Sequence, residues 1–405
     1  MLSNPPAMRL WCTLDRGGYG YAARGLVQAL KSIGVTSKHL RVVPSITNSP
    51  AVEDVAEDTW LNPYLYGEWK GDDRINIVHL NPALVGAYHT GVGGRYNIAY
   101  CAWETKQLPK AAYTRVGESR TVVQDLNDYD EIWVPTKHLV EVFIRSGVTK
   151  PIYVIPHALT EQVLRIPAKK DPPLPSAGVG FYFVGSWNPR KNPEGLLRAY
   201  WGTQWTIAEP ALLSLQLTSP DRTPTSVETH SWLVGQRVQE LRELLVAPQD
   251  GPRLALLTTP RSYAWVLQLH QNNHVFVTAS RGEGFCLPAL EAVALGNYVI
   301  GGGGPALEDL AALAPSAVAL LPRAEVPITP MPEYRGYELD QTWWDTSFND
   351  LTLEIQAAYA FIREEGMART DEIEAVREAY SPVAVGRIVE KRLEHAIGVV
   401  ESSGW

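Results

Sequence analysis

The segment Gly282-Glu283-Gly284-Phe285-Cys286-Leu287-Pro288-Ala289-Leu290-Glu291 sets two carboxylates in a frame of glycine and proline. The apolar run Val275–Ala279 precedes it and reads as a strand. The segment therefore sits at a strand's carboxyl end, where open α/β sheets bind ligands. Pro288 suits the first turn of a helix and Gly296 the position just beyond its end. The backbone N–H groups of Phe285, Cys286 and Leu287 then lie at a helix N-terminus, an anion site fit for a diphosphate. Glu283 hangs in the loop before that helix, and Glu291 emerges about one turn into it. Beside bound phosphate, two carboxylates can accept hydrogen bonds from the hydroxyls at either end of a sugar nucleotide. The plainer alternative makes Glu283 a favourable charge on the helix dipole and Glu291 a solvated surface acid. The glycine–proline frame and the preceding strand favour the site.

A second element, Gly185-Ser186-Trp187-Asn188-Pro189-Arg190-Lys191-Asn192-Pro193, follows the strand-like run Gly180–Gly185. Two cations in a strand-to-helix loop suit a diphosphate, with Arg190 able to grip two oxygens at once. Without its neighbours, the pair reads as a solvated basic turn. The loop Asp15–Gly20 carries Gly17, Gly18 and Gly20 directly after a strand, which permits a tight turn and close approach of backbone to a ligand. It is not a full G-x-G-x-x-G, and an ordinary strand-to-helix turn reads equally well. His79 ends the run Ile75–Leu80. A neutral imidazole there can hydrogen-bond a sugar hydroxyl, the alternative being a histidine satisfied by backbone. Trp103 and Glu104 end another strand and either meet an acceptor or form a packed corner. His157, after Pro156, shapes the region between domains without a catalytic part.

The elements that must position these residues alternate short apolar runs with helical periodicity, the pattern of parallel sheets covered by helices. In the first half the strands fall at Arg9–Leu14, Ile75–Leu80, Tyr96–Trp103, Glu131–Val134 and Ile152–Ile155. One helix spans Tyr21–Ile33, with Ala22, Leu26, Ala29, Leu30 and Ile33 on one face and Gly34 to stop it. Another begins at the N-cap Thr136 and ends at Gly147. Residues 166–180, with four prolines and no periodicity, read as a linker. Strands then recur at Gly180–Gly185, Leu212–Leu217, Leu254–Leu257, Val275–Ala279, Tyr298–Ile300 and Val318–Leu321, with a helix at Gln236–Leu245 among those between them. Pro322–Asn349 breaks the rhythm and reads as a long loop or insertion. The expected architecture is α/β, two Rossmann-like parallel-sheet domains facing across a cleft. Residues 1–165 form the first, 181–380 the second, and 381–405 a C-terminal helix returning to the first.

Composition narrows the class. The 405 residues are 45% hydrophobic and 20% charged, which excludes wholesale disorder. A net charge of −8 argues against a broadly basic nucleic-acid coat, though not against a local groove. Lys106, Lys110, Arg115 and Arg120 form a modest basic cluster, read more simply as a solvated helix face. No run of about 18 apolar residues spans a bilayer. Cys12, Cys101 and Cys286 stand far apart without a CxxC, so neither a disulfide framework nor a cysteine metal site is expected. The reading is a cytoplasmic chain. A nicotinamide-dependent oxidoreductase would need a fuller glycine fingerprint and an acid after a second strand, and neither is present.

The spacing Glu283-x7-Glu291 resembles the E-x7-E motif of the retaining glycosyltransferases of the GT-B fold, family 4. Gly17-Gly18-Tyr19-Gly20-Tyr21-Ala22-Ala23-Arg24-Gly25-Leu26 is similar to that family's glycine-rich first loop and helix. Tyr100-Cys101-Ala102-Trp103-Glu104 with Leu108-Pro109, then Glu131-Ile132-Trp133-Val134-Pro135 and Val154-Ile155-Pro156-His157, resemble one bacterial and phage branch. The resemblance covers essentially the whole chain. It implies a nucleoside-diphosphate sugar as donor substrate, with no cofactor and no metal. The donor binds mostly in the second domain, and the acceptor mostly in the first. It further implies that Gly17 and Gly18 pack near the donor phosphates, that Glu283 positions the donor sugar and that Glu291 takes the ribose hydroxyls. Lys191 matches the family's lysine, whereas Ser186 stands where the family has an arginine, so Arg190 is assigned that task. Acceptors implied are a glycan precursor, a lipid-linked sugar or a hydroxymethylated base in phage DNA. The missing arginine leaves a second reading, a non-catalytic sugar-nucleotide-binding or assembly protein of the same fold.

Overall fold

The computed structural model describes residues 2, 5–45, 58–67, 74–89, 95–112, 120–169, 178–203, 205, 211–218, 224–245, 253–259, 261–302, 304–329, 331, 336–364 and 370–402. Among these, twelve strands form two six-stranded parallel sheets. The first contains β1 (Met8–Cys12), β2 (Leu40–Pro44), β3 (Ile75–His79), β4 (Tyr96–Tyr100), β5 (Glu131–Val134) and β6 (Ile152–Val154), in the order β2-β1-β3-β4-β5-β6. The second contains β7 (Val179–Ser186), β8 (Ala211–Thr218), β9 (Arg253–Leu257), β10 (Val275–Thr278), β11 (Tyr298–Gly301) and β12 (Val318–Leu320), in the order β12-β11-β10-β7-β8-β9. β3, β4 and β5 are buried at every residue, which is why they read as mostly apolar runs, broken only by Asn76, His79, Asn97 and Glu131, rather than as alternating ones.

Two compact units divide the chain. The first comprises Met1–Leu164, Pro332–Gln341 and Arg377–Trp405; the second comprises Arg165–Met331 and Thr342–Val376. In the first unit the helix Gly18–Ser32 packs against the long helix Pro382–Ser402. Leu26, Ala29, Leu30 and Ile33 share one apolar cluster with Val385, Val389, Leu393 and Ala396. Arg392 of the same long helix ion-pairs with Glu131 of β5, whose carboxylate also accepts from Tyr96 and Trp133. In the second unit the helices Pro193–Gly202 and Phe348–Glu364 pack on each other and over β7, β10 and β11, with Leu196, Leu197, Tyr200, Leu351, Ile355 and Tyr359 in one apolar cluster with those strands.

Three expectations need correction. Leu40–Pro44 is a strand at the sheet edge, where one neighbour suffices and Arg41 interrupts the apolar signal. The strand begun at Tyr96 ends at Tyr100, and Cys101–Trp103 leave it as irregular backbone. Pro322–Asn349 is not a plain loop. β13 (Ala324–Pro327) and β14 (Thr342–Asp345) pair antiparallel within it, and a helix starts at Phe348. The linker prolines 172, 173 and 175, with Lys170 and Asp171, and also Arg115, lie outside the described residues.

Each sheet has one place where its chain order reverses. After β1 the chain passes to β2 on one side and then to β3 on the other; after β7 it runs to β8 and β9 before β10 returns to the opposite flank. Such reversals part the loops at the strands' carboxyl ends and leave room for ligands.

Candidate functional site

The predicted residues of the second unit gather at its reversal. β7 and β10 pair in parallel, with Phe181 opposite Val275, so the loops leaving them emerge side by side. Lys191 Nζ lies 2.5 Å from Glu283 Oε1, and Arg190 Nη1 lies 3.5 Å from Glu283 Oε2. Arg190 also donates to the carbonyl of Gly282 at 2.7 Å. Backbone bonds lock the two loops together, Arg281 N–H donating to Arg190 O at 2.7 Å. On the first loop, Asn188 Oδ1 accepts from Lys191 N–H, and Asn192, left-handed at φ 50°, caps the helix Pro193–Gly202 by accepting from Gly195 N–H.

Glu283 is buried, and burial alone would push its carboxyl up. The charges of Lys191 and Arg190, with hydrogen bonds from Lys191 and Ser280, outweigh burial and hold it below the usual carboxylate range. The helix Leu287–Ala294 follows, with Pro288 in its first turn and Gly296 left-handed just beyond its end. Its cap, Cys286, is itself left-handed at φ 70°, a conformation that costs a non-glycine residue roughly 1–2 kcal/mol. The strained turn carries the chain from Glu283 into the helix within three residues. Burial, reinforced by the Glu283 charge, pushes the Cys286 thiol up to about 12, so it stays protonated. Phe285 is half-buried beside it, and Leu287 is buried.

Glu291 is neither solvated nor isolated. It is 5% exposed, accepts from Tyr263 OH at 2.6 Å through Oε1, and places Oε2 3.4 Å from His270 Nε2. Sequence reasoning missed both partners, which come from another helix, Tyr263–Asn272. Arg281 was missed as well. It donates to Pro189 O, pairs with Asp345 of β14, and accepts Trp344 N–H at its own carbonyl. The β13–β14 hairpin is thereby tied to both loops of the site.

In the first unit the predicted residues gather at the other reversal. β3 lies beside β1, with His79 opposite Cys12, and beside β4, with His79 opposite Tyr100. His79 is fully buried among Tyr19, Tyr100 and His157, ring centroids 5.3, 4.6 and 5.6 Å away. Neither of its nitrogens has a hydrogen-bond partner among the described residues. Burial lowers its pKa to about 3, so the imidazole is neutral at ordinary pH. Gly17 N–H donates to Asp15 Oδ1, and Gly18, exposed, opens the helix. Arg24, buried on that helix, donates to the carbonyls of Leu14 and Asp15 and pairs with Asp58 at 2.6 Å. It fixes the glycine-rich turn from behind, another residue whose role carries no local signal.

The Trp103–Glu104 pair divides. Trp103 is fully buried, its indole N–H directed to Thr105 Oγ1 and Gln107 O, and its ring stacks on Tyr337 with centroids 5.2 Å apart. That is the packed corner. Glu104 is half-buried and accepts from Tyr337 OH at 3.1 Å. Among the described residues no group of three or more His, Cys, Asp or Glu side chains could hold a metal ion, and no helix is long and apolar enough to cross a membrane.

No protein-family model matches the chain, and no curated protein matches it by sequence. Solved structures do match. Sucrose-phosphate synthase from Thermosynechococcus elongatus has a TM-score of 0.60 at 16% identity, covering 97% of this chain and 100% of its own. The Anabaena protein HepE, in complex with UDP, has a TM-score of 0.60 at 12% identity, covering 96% and 100%. A trehalose-6-phosphate structure from E. coli bound with UDP-2-fluoro glucose has a TM-score of 0.57 at 12% identity, covering 95% and 98%. The fold is the GT-B fold of these glycosyltransferases.

Proposed function

We propose that the protein is a retaining glycosyltransferase that moves a sugar from a nucleoside diphosphate to an acceptor hydroxyl. The observation that carries this is the cluster of half-buried Lys191 and Arg190 around buried Glu283 at the β7–β10 reversal, beside the N-terminus of Leu287–Ala294. When the bond between the anomeric carbon and the phosphate oxygen breaks, negative charge grows on the departing diphosphate. Fixed cations and helix amides stabilise that charge most where water is scarce. The acceptor oxygen bonds to the same face of the anomeric carbon, and the leaving phosphate takes its proton. No protein nucleophile or metal is required in this scheme. Glu283 receives the donor sugar's hydroxyls and Glu291 the ribose hydroxyls. The UDP named with HepE and the UDP-sugar of the E. coli structure support a nucleotide-sugar donor. Three free, buried cysteines support a reducing cytoplasmic setting. The acceptor class is a glycan precursor, a lipid-linked sugar or a hydroxymethylated DNA base.

The test is a panel of nucleotide sugars scored by thermal shift, followed by the anomeric configuration of the product by NMR. At a hundredfold excess over Kd, a true donor stabilises the fold by about 2.7 kcal/mol. Retention of configuration is expected, and Lys191→Ala should slow transfer on the order of 100-fold. A panel without a stabilising member, or an inverted product, overturns the proposal.

A further inference from the structure

Behind Glu291 runs a chain of polar groups that the proposed chemistry does not use. Lys169 Nζ donates to the carbonyls of His270 and Asn273 and, at 2.5 Å, to Asn297 Oδ1. The backbone carbonyl of His270 can only accept, so the Asn297 atom facing it is the amide nitrogen and the atom facing Lys169 is the oxygen. The Asn297 amide nitrogen must then point the other way, and it donates to Tyr182 OH at 2.9 Å and to His270 O at 2.9 Å. Tyr182 OH, receiving that proton, has its own to give, and its other partner is His270 Nδ1 at 2.6 Å. Burial holds the Tyr182 phenol well above its ordinary pKa, so the proton stays available to donate. An imidazole that accepts at Nδ1 carries its hydrogen on Nε2. That nitrogen, fully buried, has no hydrogen-bond partner among the described residues and lies 3.4 Å from Glu291 Oε2.

We infer that Tyr182 and His270 are positioning residues for Glu291: the tyrosine fixes the histidine's tautomer, and the histidine N–H, together with Tyr263 OH, sets the carboxylate's orientation. A carboxylate hydrogen-bonded at Oε1 and faced at Oε2 by an N–H 3.4 Å away loses rotational freedom before its ligand arrives, and its remaining lone pairs keep one direction. The inference rests on the reading that Glu291 takes ribose hydroxyls. Its consequence is selectivity for ribose over deoxyribose, set from a distance by groups that never touch the nucleotide.

The probes are UDP, GDP, ADP and CDP. The tightest binder to the wild-type chain is compared with its 2′-deoxy counterpart by calorimetry. The wild type should prefer the ribonucleotide by about tenfold or more, the range of a hydrogen bond to a charged group. Glu291→Ala should abolish that preference. Tyr182→Phe and His270→Asn should bring it close to unity while deoxynucleotide affinity stays unchanged. His270→Asn keeps an acceptor for Tyr182 but no donor at the Nε2 position. His270→Gln, whose amide nitrogen reaches that position, should restore the preference. If Glu291→Ala abolishes the preference while Tyr182→Phe and His270→Asn keep it, the inference fails and the role of Glu291 stands. Equal weakening of both nucleotides by His270→Asn shows a structural role only and likewise overturns it. If the wild type binds no member or shows no preference, or Glu291→Ala keeps it, the Glu291 reading itself fails and takes the inference with it.

Discussion

Lys191 Nζ and Glu283 Oε1 meet at 2.5 Å across two loops that share no secondary-structure element, their side chains 16% and 6% exposed. The parallel pairing of β7 with β10 makes the meeting possible, because both loops leave the carboxyl ends of adjacent central strands. A pair so enclosed is expensive to break: removing one partner of a buried ion pair costs about 3–5 kcal/mol, since the other is left unneutralised.

Stability in acid should report this pair. The Glu283 carboxyl is lowered, so the unfolded chain binds its proton more readily than the folded one. Its contribution is therefore full above the usual carboxylate range and is lost as pH falls through the lowered value. Glu283→Gln should lower stability at pH 7 and flatten the acid limb of a denaturation series. An acid limb as steep as the wild type's would show that the pair contributes nothing there.

The two glycines of the first turn should behave oppositely. A Cβ on Gly20 would stand 2.0 Å from the carbonyl oxygen of Asp15, whereas one on Gly18 would meet nothing within 4 Å. Gly20→Ala should therefore lower Tm by several degrees or prevent folding, a backbone clash having no side chain to yield. Gly18→Ala should leave Tm unchanged or slightly raised, since alanine suits a helix better. If the Gly18 backbone approaches donor phosphate, the same variant weakens donor binding in a fold that is otherwise intact. Unchanged donor affinity would remove Gly18 from the site.

His79 should make the first unit sensitive to mild acid. Burial depresses its pKa from 6.5 to about 3, so between those values the unfolded chain takes up a proton that the folded chain refuses. Stability is full above pH 6.5 and falls with decreasing pH down to about 3, by at most about 1.4 kcal/mol per unit. His157, buried beside it and lowered by burial and by the His79 charge, acts in the same direction. His79→Phe should reduce the slope measured by denaturant titration between pH 7 and 5. A slope identical to wild type would mean that His79 protonates without cost.

The sheets were legible because interior parallel strands are buried on both faces and mostly apolar, as Ile75–His79 (polar only at Asn76 and His79) and Val275–Thr278 (polar only at Thr278) are. Leu40–Pro44 was not, because an edge strand half-solvated at Arg41 carries a weaker signal. The β13–β14 hairpin hid for a related reason: most of its residues are partly or fully exposed, and proline ends one strand. At the site, Glu283, Arg190 and Lys191 could be read because each follows a recognisable strand. Arg24, Arg281, His270 and Lys169 could not, since each draws its meaning from a carbonyl or carboxylate distant in sequence. Lys169 in particular reads as a linker cation, yet it is largely buried against three acceptors, and burial brings its pKa to about 7.

Because Pro332–Gln341 and Arg377–Trp405 both belong with the N-terminal residues, the polypeptide changes unit at four places. No single proteolytic nick or gene truncation can release either half intact. A fragment ending at Leu164 would bare the apolar stripe of Gly18–Ser32 that Pro382–Ser402 covers. Grafting the second unit onto another scaffold would accordingly take four splice junctions, and the two halves should be inherited together rather than shuffled.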